Sequence, residues 1–278
     1  MKRRNILIAL LVILFLSGCA GGAKVRRLSK PEVFREEAPL AKCGLTVGEN
    51  FIFSASWKGI PIGQAEISVE KLMPWREYIV YKVVVTARTN AFLSKLFPVE
   101  DTFISYIDRD KYISRHFEAI IKEGRYRKHL VVDYDFVKFI ATYRNLKDGS
   151  VKTCPIEKDV QDSISAAVFF RTMPVEVGKT ARITVNQNEE NYTIITSIDR
   201  EVDVTIPGVG TFTAFLVKPY IELKGKPLRR AKAWGYMSSD KNRIPLFLSV
   251  QVLEIPWIGE VTATLKSVNL NVKDISSS

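Results

Sequence analysis

Alternation of apolar and polar residues, sustained from about residue 49 onward, constrains the fold of this chain most strongly. In NFIFSASW, Phe51, Phe53, Ala55 and Trp57 share one face of an extended chain. Further runs of this kind follow, separated by short breaks that carry glycine, proline or charge. Short connections between consecutive strands favour antiparallel pairing. We therefore expect a mainly β fold, a long curved antiparallel sheet that is open-barrel or sandwich-like, with one or two short helices.

Two segments have the signals of helices. TNAFLSKLF offers Thr89 or Asn90 as an N-cap and ends before Pro98. DVQDSISAAVFFRTMP offers Asp159 or Asp162 as an N-cap, followed by apolar residues at helical spacing. Both segments are short, so each helix would be an accessory to the sheet.

Near the C-terminus the apolar residues change face within one run. Thr262 and Thr264 share a parity with Val268 and Leu270, and the change falls near Lys266 to Ser267. Such a switch predicts a β-bulge or a strand that bends between layers.

The first 18 residues have the three parts of an export signal. Lys2, Arg3 and Arg4 precede the uninterrupted apolar run Ile6 to Leu16. These eleven residues would form a helix of roughly 16 Å, against a hydrocarbon core of about 30 Å. The run is too short to span a membrane and fits the apolar region of a cleaved signal.

The motif Leu16-Ser17-Gly18-Cys19 resembles a bacterial lipobox. The resemblance implies cleavage between Gly18 and Cys19 and acylation of Cys19, which would anchor the chain in the lipid bilayer. Ala20 in place of aspartate favours the outer membrane, with the protein facing the periplasm. We predict a lipoprotein signal peptide at 1–18, a lipidated N-terminus and tether at 19–44, a β-rich domain at 45–272 and a C-terminal tail at 273–278.

The charge of the chain suits an anionic partner. Without Lys2, Arg3 and Arg4, 38 basic and 30 acidic side chains remain, a net charge of about +8. Export makes nucleic acid implausible as that partner. Two basic segments, KEGRYRKH (122–129) and KGKPLRRAK (224–232), are either solvated hairpin ends or a face that meets lipid phosphates.

No motif in the sequence indicates catalysis, a metal site or a cofactor. His116 and His129 lie in predicted strands without ligand spacing, and we expect both at the surface. GVG at 208–210 reads as a hairpin turn, and no carboxylate pair stands out. We therefore expect no enzyme, although a hydrolase of envelope polymers stays as an alternative.

After Cys19, two cysteines remain, Cys43 and Cys154. In an exported protein they could form a disulfide that closes a loop of about 110 residues. The alternative is two unpaired thiols, because sequence does not give the distance between them.

Three blocks of the predicted domain resemble the domain of unknown function 3108 family. They are SWKGIPIGQAEISV, DVQDSISAAVFFRTMPVEVGKTARITV and WGYMSSDKNRIPLFLSVQVLEIPWIGEVTATL. The resemblance covers about residues 48 to 270. It implies an exported, β-rich domain and supplies no activity.

Strands that are apolar on both faces suggest a sheet wrapped around a helix or an apolar cavity. Our first hypothesis is a non-catalytic domain that binds an apolar ligand or escorts lipid-linked envelope components. The second is a structural or assembly lipoprotein that binds another envelope protein through a sheet edge or an apolar patch. Residues that could line a cavity, rather than fill a core, are Phe51, Phe53, Trp57, Val168 and Phe169.

Overall fold

A computed structural model of the chain describes residues 44–228, 230–254 and 257–270. These residues form one antiparallel sheet, one α-helix and a 3-10 turn at Leu93–Lys95, which confirms the predicted mainly β fold. The elements are β1 (Asn50–Trp57), β2 (Ile60–Trp75), β3 (Tyr78–Thr89), β4 (Glu100–Asp108), β5 (Ser114–Glu123), β6 (Tyr126–Asp135), β7 (Ile140–Asn145), β8 (Val151–Pro155), α1 (Ser163–Thr172), β9 (Thr180–Gln187), β10 (Glu190–Ile206), β11 (Gly210–Leu223), β12 (Lys226–Pro227), β13 (Ala231–Ser238), β14 (Pro245–Val252) and β15 (Gly259–Asn269).

The strands form two meanders joined at the middle of the sheet. The order is β8-β7-β6-β5-β4-β3-β2-β1-β15-β14-β13-β11-β10-β9, with β12 paired to β11. Pairing of β1 with β15 brings the first and last strands together and leaves β8 and β9 as the edges. The connection through α1 therefore runs from one edge of the sheet to the other.

The two edges of the sheet approach each other. Gln161 donates its backbone N–H to Thr184, and Asn186 donates to Gln161, both at 2.9 Å. Asn191 Nδ2 donates to the carbonyl of Pro155 at the end of β8, also at 2.9 Å. The connecting segment thus bridges the edges, and the sheet curls into a barrel-like shape with α1 against its concave face.

Helix α1 begins at Asp162, one of the two predicted N-caps. Its carboxylate accepts hydrogen bonds from the backbone N–H groups of Ile164 and Ser165. The hydroxyls of Ser105 and Ser114, on β4 and β5, also donate to it at 2.5 Å. Burial raises the pKa of Asp162, while the four hydrogen bonds to the carboxylate act in the opposite direction. This cap fixes the start of α1 to the packed core.

The other predicted helix, TNAFLSKLF, is only the single 3-10 turn. Asn90 Oδ1 accepts a hydrogen bond from the Leu93 N–H, as the expected cap would. The turn ends at once because so short a segment is a marginal helix in water, and none of its residues is buried.

The predicted irregularity at Lys266 is a β-bulge. Ile52 pairs with Ser267, whereas the next residue, Phe53, pairs with Leu265. Lys266 is the extra residue and points to solvent, so Leu265 keeps its inward direction.

Candidate ligand-binding cavity

An apolar cavity of about 220 Å³ lies between α1 and the concave face of the sheet. Its walls come from β1 to β3 on one side and from β9 to β11 and β13 to β15 on the other. The lining residues are Phe51, Phe53, Ala65, Ile67, Val85, Ile164, Ala166, Ala167, Val168, Phe170, Arg171, Ile183, Ile194, Thr196, Val217, Pro219, Gly235, Tyr236, Met237, Pro245, Phe247, Leu248 and Ala263.

Small side chains leave this space unfilled. Ala166 and Ala167 on α1 face the cavity, as do Gly235 on β13 and Ala263 on β15. A Cβ at Gly235 would lie 2.5 Å from the backbone oxygen of Phe247, so no larger residue fits there without a backbone shift. The small residues at these four wall positions therefore account for the cavity.

A break in the strand ladder lies beside the cavity. Among the described residues, β11 pairs with β13 only from Ala214 to Val217, and Val217 faces Gly235. The next residues of β11 include Pro219, which has no N–H to donate. Val217 and Pro219 both line the cavity and are half-buried, so the break lies in the cavity wall.

A buried ion pair closes one end of the barrel. Arg171, at the end of α1, contacts both carboxylate oxygens of Glu49 at 3.0 and 2.7 Å. The same guanidinium donates to the carbonyls of Asn242 and Arg243 and lies 5.0 Å from the ring of Phe51. Arg171 lines the cavity and is paired, so it does not leave a buried charge for a ligand to neutralise.

The five predicted lining residues fall in different places. Phe51, Phe53 and Val168 line the cavity. Trp57 lies outside its wall, packs against Val252, Ile258 and Val261 and donates from Nε1 to the Ile258 carbonyl. Phe169 also lies outside the wall and packs on the core beside β9 to β11.

A buried carboxyl pair, Asp101 on β4 and Glu123 on β5, escaped the sequence analysis. Both are at most 5% exposed, and the two carboxyl groups interact with each other. Burial and the neighbouring Asp101 raise the pKa of Glu123 to about 8, so the pair holds one proton at neutral pH. Asp101 alternates in step with the inward-facing residues Phe103, Ser105 and Ile107 of the same strand. This parity is the sequence signal that could have predicted an inward position for Asp101. Neither carboxyl lines the cavity.

Each histidine contacts a carboxylate. His116 Nδ1 lies 2.8 Å from Asp133 Oδ1, and His129 Nε2 lies 2.6 Å from Glu118 Oε1. The prediction of a surface position is wrong for His116, which is 8% exposed because Trp75 packs over its ring. Burial tends to raise the pKa of Asp133, but His116 and nearby arginines hold it below its usual range.

Cys154 lies buried at the end of β8, and Asn186 Nδ2 approaches its Sγ at 3.4 Å. Burial raises the pKa of its thiol. Cys43, its predicted partner, lies outside the described residues, as do Gly18, Cys19 and the 273–278 tail.

Within the described ranges, no helix has the length and apolarity to cross a membrane. In the same ranges, no three histidine, cysteine or acidic side chains gather as metal ligands.

Comparison with known proteins identifies the family. The family model described as "Protein of unknown function (DUF3108)" matches residues 52–266. The chain belongs to the DUF3108 family. A search of curated proteins finds no significant match.

Solved structures resemble this DUF3108 protein at low sequence identity. A β-barrel-like DUF1849 protein from Brucella abortus has a TM-score of 0.53 and 8% identity, covering 81% of this chain and 98% of its own. It shares the barrel-like fold. A candidate exported protein with a YmcC-like fold from Bacteroides fragilis has a TM-score of 0.37 and 10% identity over 83% and 99% of the chains. A candidate lipoprotein from Parabacteroides distasonis has a TM-score of 0.33 and 9% identity over 84% and 100%.

Proposed function

We propose that this DUF3108 protein is a non-catalytic envelope lipoprotein that holds an apolar ligand inside its β-domain. The observation that carries the proposal is the cavity between α1 and the sheet, whose wall is apolar apart from a few groups such as Arg171 and Thr196. A wall of this composition favours hydrocarbon over a polar metabolite. The ligand class is an acyl chain, either of a free lipid or of a lipid-linked envelope component.

The size of the cavity limits the ligand to one slender apolar group. An apolar cavity of about 150 Å³ stays dry and binds benzene. The present cavity, about 220 Å³, exceeds that volume. One acyl chain fits this space better than a lipid with several chains, and its headgroup would reach solvent through the wall at the ladder break beside Pro219.

Fluorescent fatty acid binding tests the proposal. The chain from residue 20 onward should bind cis-parinaric acid with a stoichiometry of one, and dodecanoic acid should displace it. Ala263→Leu adds bulk to the wall and should weaken binding by tenfold or more. The matched variant Ala91→Leu, on an exposed turn, should bind as the parent does. Absence of saturable binding, or equal affinity in both variants, would contradict an internal site.

Two other functions have weaker support. A partner protein added to a sheet edge would need a free edge, whereas β8 and β9 are bridged by the segment between them. A hydrolase would need ionisable groups that converge in a cleft, whereas Asp101 and Glu123 lie away from the cavity wall.

Anchoring through Cys19 is part of the proposal and has its own test. Radioactive palmitate should label the protein in its native bacterium, and Cys19→Ser should abolish the label. The labelled protein should fractionate with the outer membrane. A mature N-terminal peptide whose mass shows an unmodified Cys19 would contradict the anchor without affecting the cavity.

A further inference from the structure

The end of the barrel away from α1 carries a continuous group of turns. They join β1 to β2, β3 to β4, β5 to β6 and β14 to β15, and we call them the hairpin rim (residues 58–60, 90–98, 124–126 and 257–258). Lys58 Nζ donates to Trp257, Asn90 Nδ2 to Pro61, and the Gly124 N–H to Pro98. These contacts tie the four turns into one surface.

Large apolar side chains project from the hairpin rim. Phe92 and Leu96 are 76% and 74% exposed, and Ile60 and Trp257 are 63% and 62% exposed. All four turns contribute, because Tyr126 is also exposed. Side chains of this size are normally turned inward, and a group of them at one end of a domain marks an interaction surface.

Cations alternate with these apolar groups. Lys58, Lys95, Arg125 and Arg127 are exposed on the same turns or directly beside them. Glu123, beside Arg125, is buried, and its pKa of about 8 keeps it largely uncharged at neutral pH. The hairpin rim is therefore positive.

The second basic segment of the sequence joins the same surface. Arg230 accepts hydrogen bonds at its carbonyl from Leu253 and Glu254, in the turn that carries Trp257, and its Nε pairs with Glu254 Oε1 at 3.1 Å. Lys224 and Lys226 lie in the next turn around the barrel. Both basic segments, far apart in sequence, thus lie at one end of the fold.

The opposite end of the barrel differs in the charge of its turns. Its turns pair their charges locally, as Arg109 does with Asp110 and Lys138 with Asp135. The four turns of the hairpin rim contain no acidic residue, and this contrast selects the rim as the interaction surface.

We infer that the hairpin rim docks on an anionic phospholipid bilayer. Tryptophan, phenylalanine and leucine enter the headgroup region, while lysine and arginine meet the phosphates. The inference does not depend on the ligand cavity, which the rim does not line.

The predicted anchor is compatible with this orientation. Residues 44–49 lie at the opposite end, where the Gly48 N–H donates to Val69. The 24 residues between Cys19 and Gly44 reach at most about 80 Å when extended. A strand as long as β15 spans only about 36 Å, so the tether is long enough for the hairpin rim to face the membrane.

A fluorescent side chain at each end of the barrel tests the inference. The full chain is reconstituted in vesicles with dansylalanine at position 96 of the hairpin rim or at position 137 of the opposite end. In phosphatidylcholine vesicles that contain phosphatidylglycerol, we expect a blue shift of at least 10 nm at 96 and none at 137. The double variant Lys95→Gln with Arg125→Gln should lose that shift, whereas Arg109→Gln with Lys138→Gln should keep it.

Other outcomes would overturn the inference. Equal shifts at 96 and 137, or no shift at 96, would mean that the hairpin rim does not meet the bilayer. A blue shift at position 96 that is equally large in vesicles of pure phosphatidylcholine would show that docking does not require anionic headgroups. A shift at 96 that requires added membrane proteins would assign the surface to a protein partner. None of these results would alter fatty acid binding, so failure here is distinguishable from failure of the proposed cavity function.

Discussion

The inner faces on the two sides of α1 are filled differently. On the packed side, β4 to β8 present aromatic and branched residues such as Phe103, Phe117 and Tyr143, and the space left among them is about 40 Å³. On the hollow side, β9 to β11 and β13 to β15 with β1 present small residues such as Gly235 and Ala263 and enclose about 220 Å³. Both sides bury apolar surface, so hydrophobicity alone does not distinguish core from cavity. Residue size does.

The two sides also differ in what charge they bury. The packed side buries Asp101, Asp108, Arg115, Glu123 and Asp133. Among the described residues, the strands of the hollow side bury polar groups such as Thr196 and Ser249, and the buried charges on that side are the ion pair of Glu49 and Arg171 at the end of the barrel. Buried charges need fixed partners and therefore tolerate little movement. The difference suits a rigid side that supports α1 and a side that can accept a ligand.

Truncation of a large core residue should have the largest effect on stability. Phe117 on the packed side contacts Phe103, and their ring centroids are 6.4 Å apart. Phe117→Ala should lower the free energy of unfolding by about 3–5 kcal/mol because it removes packing and leaves a void. Urea denaturation measures this loss. Phe139→Ala, at an exposed turn, is the control and should change stability by less than about 0.5 kcal/mol.

One substitution made on both sides should separate them most clearly. Ala141→Leu on β7 enters a packed core and should cost about 1–3 kcal/mol by overpacking. Ala263→Leu on β15 enters the cavity and should change the free energy of unfolding by less than about 1 kcal/mol. If both variants lose the same stability in thermal denaturation, the hollow side is packed as tightly as the other.

The shared proton of Asp101 and Glu123 makes the packed side sensitive to pH. The folded pKa of Glu123, about 8, exceeds its ordinary value of 4.5, so the folded state binds the proton more tightly. Its contribution to stability is complete below pH 4.5 and is lost as pH rises towards 8. Glu123→Gln should therefore be more stable than the parent at pH 8, by up to about 4 kcal/mol, and nearly equal to it at pH 4.5.

Melting temperatures of the variant and the parent, measured from pH 4.5 to 9, would show this difference growing with pH. Glu100→Gln, at an exposed carboxylate next to Asp101 on β4, should follow the parent at every pH. A parallel pH dependence for Glu123→Gln and the parent would exclude the shared proton.

Local patterns predict much of this fold. Alternation locates the strands, Asp162 marks the start of α1, and the change of face at Lys266 indicates the bulge. These features depend on neighbouring residues, so they can be predicted from one stretch of sequence. The segment around Leu93 is an exception: it has the local signals of a helix but forms only a 3-10 turn, because none of its residues is buried against the rest of the protein.

The candidate site depends on pairing between strands that are far apart in the chain, which local sequence patterns do not predict. Phe51, Ala166, Gly235 and Ala263 come from separate parts of the chain and meet only when β1 pairs with β15 and α1 crosses the barrel. The carboxyl pair of Asp101 and Glu123 also arises across two strands. The two basic segments were visible as patterns, but their shared location at the hairpin rim needs the topology.

Alanine methyl NMR tests the central claim most directly, because alanines lie on both sides of α1. With the methyl groups labelled with carbon-13, dodecanoic acid should shift the resonances of Ala166, Ala167 and Ala263. The methyl of Ala141, in the packed core, and that of Ala91, on the hairpin rim, should stay in place. Unchanged spectra at saturating fatty acid, or shifts centred on Ala91 or Ala141, would contradict a ligand inside the cavity.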